Sequence, residues 1–166
     1  MNELDRKILK TLQNLGRITN AELARIVGVA PSTMLERVRR LEENGTIKGY
    51  RALLDPDSIG LSVQAFVTVS LNQHEETDIK RFEEGVLEIA NVKTCHHITG
   101  RFDYILHVAA KDLKHLGELI KNRIASIPGI GKVETFVALS EVKGEGGWPV
   151  ETEMDDRANL MKGEST

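Results

Sequence analysis

The chain has little that would staple, anchor or catalyse. Only one of its 166 residues is cysteine. Cys95 cannot close an internal disulfide and has no spaced partners for a zinc site, so packing alone must hold the fold. No run of about 18 apolar residues is present, and no charged start leads into an apolar stretch with a small-residue cleavage site. Neither a membrane span nor a secretory leader is expected, which makes the cytoplasm the expected location. A nucleophile elbow, a phosphate loop and a paired-acid motif are all missing, and the one thiol falls inside a strand pattern, so an enzyme is not expected. At Cys95-His96-His97 adjacent strand residues point to opposite faces. Only Cys95 and His97 share a side, too few for a transition metal, and no metal site is expected.

A large excess of either charge is also lacking. Twenty-two Lys and Arg face 25 Asp and Glu, a net charge of -3, which taken whole argues against a protein that coats nucleic acid. The halves differ. Residues 1–60 hold ten basic against eight acidic side chains, and residues 61–166 twelve against seventeen. A basic first part and an acidic second part have the signs of a DNA-facing domain and a domain that avoids DNA.

What is present begins with three short helical patterns. Leu4, Ile8, Leu12 and Leu15 form one apolar stripe, stopped at Gly16. Thr19 with Glu22 three residues on reads as a capping box, and Leu23, Ala24 and Val27 follow as the buried face up to Gly28. Pro31 suits a first helical position, and Met34, Val38 and Leu41 give a third stripe that ends at Asn44-Gly45. Thr46–Leu53 has strand character, and residues 54–60 are rich in turn formers. The expected first domain is 1–60, a helix-turn-helix with a hinge strand.

From Leu61 to Leu71 every odd position is apolar, and the even ones are polar except Phe66, the period of a half-buried strand. Helical spacing returns at Ile79, Phe82, Val86 and Ile89. Residues 92–99 and 103–110 read as strands around Gly100. Leu113, Leu116, Ile120 and Ile124 form another helix, and Val133–Leu139 alternate as a last strand. The order βαββαβ predicts an α+β, ferredoxin-like domain over 61–142. Both helices would cover one sheet face. The other, with Phe66, His97, Phe136 and Ala138, is apolar enough that another subunit is expected to cover it. The Gly-rich, acidic tail 143–166 has no sustained periodicity and is expected to be flexible, with Trp148-Pro149-Val150 as a sticky spot suited to a neighbouring subunit.

In a helix-turn-helix the third helix buries one face and offers the other to the major groove. At about 100° per residue, Ser32, Thr33, Glu36, Arg39 and Arg40 lie opposite the buried stripe, with Arg37 on a flank. Small hydroxyls approach phosphate and base edges closely, the helix N-terminus favours phosphate, and arginines bind guanine edges or backbone. Lys48 and Arg51 add charge where backbone contacts fall. An ordinary solvated helix carries similar charges; double-stranded DNA is the expected partner.

The series Leu4-Asp5-Arg6-Lys7-Ile8-Leu9, Arg17-Ile18, Glu22-Leu23-Ala24, Val38–Ile47 and Gly49-Tyr50, followed by Asp55-Pro56, Gly60 and Thr99-Gly100-Arg101-Phe102-Asp103-Tyr104, resembles the Lrp/AsnC family of leucine- and asparagine-responsive regulators over residues 2–142. The combination and order are specific where no single piece is. The resemblance implies a winged or plain helix-turn-helix hinged to a ligand-binding domain that forms dimers, assembling further into tetramers or octamers.

In Ile98-Thr99-Gly100-Arg101-Phe102-Asp103-Tyr104 a glycine between two strands turns the backbone and exposes amides suited to a carboxylate, and Asp103 suits an ammonium. An amino acid carries both groups, although the same pattern also makes a plain hairpin. The resemblance implies an amino-acid effector bound between subunits by Ile98, Thr99, Gly100, Arg101, Asp103 and Tyr104, with Thr135 and Val137 of the final strand nearby. The function expected is a transcription regulator whose assembly and DNA binding respond to that effector. The alternative is a DNA-architectural protein of the same fold with no effector.

Overall fold

The computed structural model describes residues 1–73, 75–144 and 146–152. The chain divides into two compact units, Leu53–Val142 and a first unit made of Met1–Ala52 with the segment that begins at Lys143.

In the first unit α1 is Glu3–Asn14, α2 Asn20–Val27 and α3 Pro31–Glu43. Each end has a local cause. Asn2 caps α1 by accepting from the Asp5 amide at 2.8 Å. Thr19 and Glu22 form the reciprocal box in front of α2, whose last carbonyls close on Gly28 in the left-handed conformation at φ 82°, a geometry that costs glycine little. Pro31 opens α3 and Asn44 ends it. Ile8, Leu23, Ala24, Met34, Val38 and Leu41 make the core, with Leu4, Leu12, Ile18 and Val27 packed against it.

The expected hinge strand over Thr46–Leu53 is not formed. No ladder partner lies beside it among the described residues, and a lone strand leaves its amides and carbonyls unsatisfied. Asp55 instead accepts from the Ser58 amide at 3.1 Å, just ahead of a one-turn helix at Asp57–Ile59.

The second unit runs β1 Val63–Leu71, α4 Glu76–Leu87, β2 Val92–His97, β3 Tyr104–Ala110, α5 Leu113–Leu119 with a π-type turn to Ile124, and β4 Ile130–Val137. The strands form one antiparallel sheet in the order β2-β3-β1-β4, the ferredoxin-like arrangement. Ala65, Val67 and Val69 of β1 and Tyr104, Leu106 and Val108 of β3 are buried with Phe82 and Val86 of α4 and Leu116 and Leu119 of α5. That is the helix-covered face. The opposite face carries Phe66, 41% exposed, beside Phe136, 51% exposed. Phe66 also stacks on His107 at 4.8 Å between centroids, and His107 lies 2.8 Å from the Gln64 amide oxygen.

His97 does not belong to that open face. It pairs with Tyr104 and stacks on its ring at 4.8 Å, so the β2–β3 register sends it to the helix side. Within the expected tail, Gly146–Thr152 lies along α1: the Gln13 side-chain amide donates to the Trp148 carbonyl at 3.0 Å and accepts from the Trp148 amide at 2.5 Å. The Trp148 ring is 85% exposed. Residues 153–166 of the expected tail lie outside the described residues.

Candidate nucleic-acid interface and ligand loop

The face of α3 turned away from the core is exposed at Ser32, Thr33, Glu36, Arg39 and Arg40. Arg39 pairs with Glu43 one turn on at 3.4 Å, an exposed pair of small energetic weight. The helix opens with free amides, since Ala30 supplies no side-chain cap and no acidic residue stands in the first turn. Free amides beside two hydroxyls attract a phosphate oxygen. Lys48 and Arg51 are exposed in the extended segment after the helix. The flank of α3 borders a groove of about 590 Å³ lined in part by Leu12, Ile18, Leu35, Arg39 and Tyr50. Tyr50 donates to Glu42 at 3.0 Å, and its hydroxyl is pushed up to about 12 by burial and then by that carboxylate.

Arg37 departs from expectation. Its guanidinium donates to Asp5 of α1 at 3.4 Å. Asp5 is 4% exposed, and a buried carboxylate without a cation is costly, so it draws Arg37 inward. Arg37 therefore holds α3 against α1 and is not part of the presented face. Asp5 was invisible as a site residue because its partner lies 32 positions away.

Between β2 and β3 the chain turns through exposed Thr99, Gly100 and Arg101. Gly100 has φ 129°, which L side chains rarely adopt. The base of the loop is closed by the Ile98 amide donating to the Asp103 carbonyl at 2.8 Å and the Asp103 amide donating to the Val69 carbonyl at 3.0 Å. Asp103 also accepts from the Leu71 amide at 2.8 Å through Oδ2. The carboxylate expected to meet an ammonium thus ties the loop to β1. Tyr104 is a second correction: it is 2% exposed, packs on Phe82 at 4.4 Å and donates to Glu83 at 3.0 Å beneath α4. Burial, then Glu83, pushes its hydroxyl up to about 12.

Arg101 reaches over the open face to Glu134 at 3.0 Å, and Lys132 joins at 2.6 Å. The Lys132 ammonium, then Arg101, holds the Glu134 carboxyl below the usual range. Thr135 and Val137 pair with Val67 and Ala65 and so point to the opposite face. One chain does not bring these two to the loop. Among the described residues no three His, Cys, Asp or Glu side chains converge as a metal site, and no helix is long and apolar enough to cross a membrane.

A three-helix head with an arginine-bearing recognition helix, carried on a separate ferredoxin-like unit, defines a DNA-binding regulator with its own ligand-binding domain. The family model described as Lrp/AsnC ligand binding domain matches residues 64–148, and that of a winged helix-turn-helix DNA-binding domain matches residues 1–48. The leucine-responsive regulatory protein of Escherichia coli K12 is 38% identical over 143 residues, 86% of this chain and 87% of that protein. A transcriptional regulator from Neisseria meningitidis, solved as its L-Met complex, is 32% identical with a TM-score of 0.85, over 90% of this chain and 96% of that one. An AsnC family regulator from Agrobacterium tumefaciens is 33% identical with a TM-score of 0.81, over 94% and 99%. The chain belongs to the Lrp/AsnC family of transcriptional regulators. It is a DNA-binding regulator and not an enzyme.

Proposed function

We propose that the chain is an amino-acid-responsive regulator. In this reading α3 enters the major groove of double-stranded DNA through Ser32, Thr33, Glu36, Arg39 and Arg40, and Lys48 and Arg51 meet the phosphate backbone. The effector is an amino acid held by the exposed Thr99-Gly100-Arg101 turn. A second copy covers the open face around Phe66 and Phe136 and brings its own edge strand, with Thr135 and Val137, towards the loop of its partner. Dimers then assemble into tetramers or octamers.

The observation that carries the effector assignment is the loop itself. Its base is fixed by three backbone-centred bonds, while its tip offers exposed amides at a glycine that no Cβ crowds. A carboxylate is the natural acceptor for such a concavity. The L-Met complex of the Neisseria regulator points to the same ligand class. Since coupling is a difference in binding free energy, an effector that gripped two assembly geometries equally would regulate nothing. The site therefore belongs where subunits meet.

The test is a melting-temperature titration of the purified protein with each of the twenty amino acids, starting from L-methionine, followed by DNA titrations with those that shift it. A ligand of the folded assembly raises stability by mass action. A rise with one or a few amino acids that also change DNA affinity supports the reading. A flat response to all twenty overturns it and returns the chain to an effector-free regulator or architectural protein.

A further inference from the structure

The segment Gly146–Thr152 is held to α1 by main-chain recognition. Gln13 grips both the amide and the carbonyl of Trp148, and Arg6 donates to the Glu151 carbonyl at 3.2 Å. Thr152, at the end of the described segment, is 4% exposed. The two anchor points are in register. Arg6 and Gln13 are seven helical residues apart, a rise of about 10.5 Å on one face of α1. Trp148 and Glu151 are three residues apart, about 10 Å of extended chain, running against the helix direction. Approach is close at Gly147: a Cβ there would stand 2.7 Å from Gln13 Oε1 and 3.0 Å from Gln13 Cβ, so any side chain at 147 must push Gln13 out of its clasp.

The position of this segment in the chain gives the contact its meaning. The backbone leaves the first unit at Ala52, builds the whole ligand-binding unit and returns to the first unit from Lys143. The backbone thus crosses between the units twice, after Ala52 and before Lys143. The second crossing leads to α1, where Arg6 adjoins Asp5, and Asp5 holds Arg37 of the recognition helix.

We infer that Gly146–Thr152 is a regulatory strap: docked on Arg6 and Gln13, it transmits the state of the ligand-binding unit through α1 to the recognition helix. This rests on the reading of the chain as a regulator whose two units communicate. Because the chain passes between the units both before Leu53 and at Lys143, and the second passage is followed by a segment clasped to α1, a change in the ligand-binding unit reaches the clasp through the backbone. Linkage makes the effect reciprocal: if the ligand-binding unit alters DNA affinity through the strap, DNA must alter the ligand-binding unit through it as well.

The test uses the full chain in three forms: native, Gly147→Val and Gln13→Ala. The first substitution breaks the clasp from the strap side and the second from the head side. Hydrogen exchange of the Ile98–Phe102 loop is followed with and without a DNA duplex selected by the native protein from a random pool. DNA should change loop exchange by about threefold or more in the native chain. Both variants should lose that change while their DNA affinity without amino acids stays within about threefold. An equal change in all three forms, no change in any, or loss in only one variant overturns the strap. A parallel DNA titration with L-methionine and with a mixture of the twenty amino acids separates the two readings. A native chain that ignores both sinks amino-acid sensing, while the exchange readout still decides the strap.

Discussion

Arg37 of the recognition helix and Asp5 of the first helix meet at 3.4 Å, with Asp5 almost fully buried. This pair ties α3 to α1 on the flank of the buried stripe Met34, Val38 and Leu41, which turns the opposite residues outward. Asp5→Ala leaves the guanidinium half-buried and unpaired; because Arg37 keeps some solvent, the loss is about 1–3 kcal/mol, below that of a fully buried pair. Thermal melting should show it, and DNA affinity should fall although Asp5 touches no base. Undiminished DNA affinity in a destabilised Asp5→Ala protein would mean that the pair holds the fold without setting the face.

Arg40 stands exposed on that face and forms no ion pair among the described residues. Arg40→Ala should weaken DNA binding by about 1–3 kcal/mol and leave assembly, measured by sedimentation, unchanged. If Arg40 meets a phosphate, the slope of log affinity against log salt drops by about 0.9. Loss of assembly with DNA affinity intact would place this helix face at a subunit contact.

The elements legible from sequence are those whose cause is local. The capping box at Thr19 and Glu22 and the period of two in Val63–Leu71 need only neighbours in the chain and one buried face. The parts that were not legible depend on distant partners. Asp5 and Arg37 carry no spacing signal, and Asp103 looked like a ligand group because nothing in its neighbourhood announces the Leu71 amide. His97 was placed on the wrong face because pairing register, interrupted by a bulge between Val92 and Thr94, decides which strand faces agree. The strap was hidden for a further reason: Gln13 and Arg6 recognise main-chain groups, which every sequence has.

Gly100 tests the ligand loop without disturbing a packed contact. No heavy atom lies within 4 Å of a Cβ built there, but φ of 129° is strained for any other residue. Gly100→Val should abolish the response to amino acids while DNA binding persists, read as equal DNA affinity with and without the effector. A variant that still responds normally would remove this loop from the site.

Phe66 and Phe136 lie side by side on the open face and remain about half exposed in one chain. Phe66→Glu places a charge where a second sheet would have to pack, at a desolvation cost of several kcal/mol. Sedimentation should show a smaller species than the native protein, with each chain still folded by circular dichroism. An unchanged assembly would mean that copies join through another surface.

The buried hydroxyl of Tyr104 predicts how the ligand-binding unit fails in alkali. An ordinary tyrosine loses its proton near 10, whereas burial and the Glu83 carboxylate push Tyr104 up to about 12. Between those values the unfolded chain has released the proton and the folded chain has kept it. The contribution is therefore fully present below pH 10 and is lost as pH rises towards 12. Tyr104→Phe removes the hydroxyl and its 3.0 Å bond, which costs about 1 kcal/mol at neutral pH and abolishes this proton uptake. Denaturant midpoints measured at pH 9 and 11 should fall less between the two for the variant than for the native chain. Cys95 beside it is governed by the same surroundings: burial, then Glu83, pushes the thiol up to about 11. At pH 8 its thiolate fraction is roughly a hundredfold below that of a free thiol of ordinary acidity, so even with the greater nucleophilicity of its thiolate it should react with a disulfide reagent about tenfold more slowly. Equal pH slopes for native and Tyr104→Phe together with a fast-reacting Cys95 would mean that water reaches this side of the sheet and that α4 does not stay closed over it.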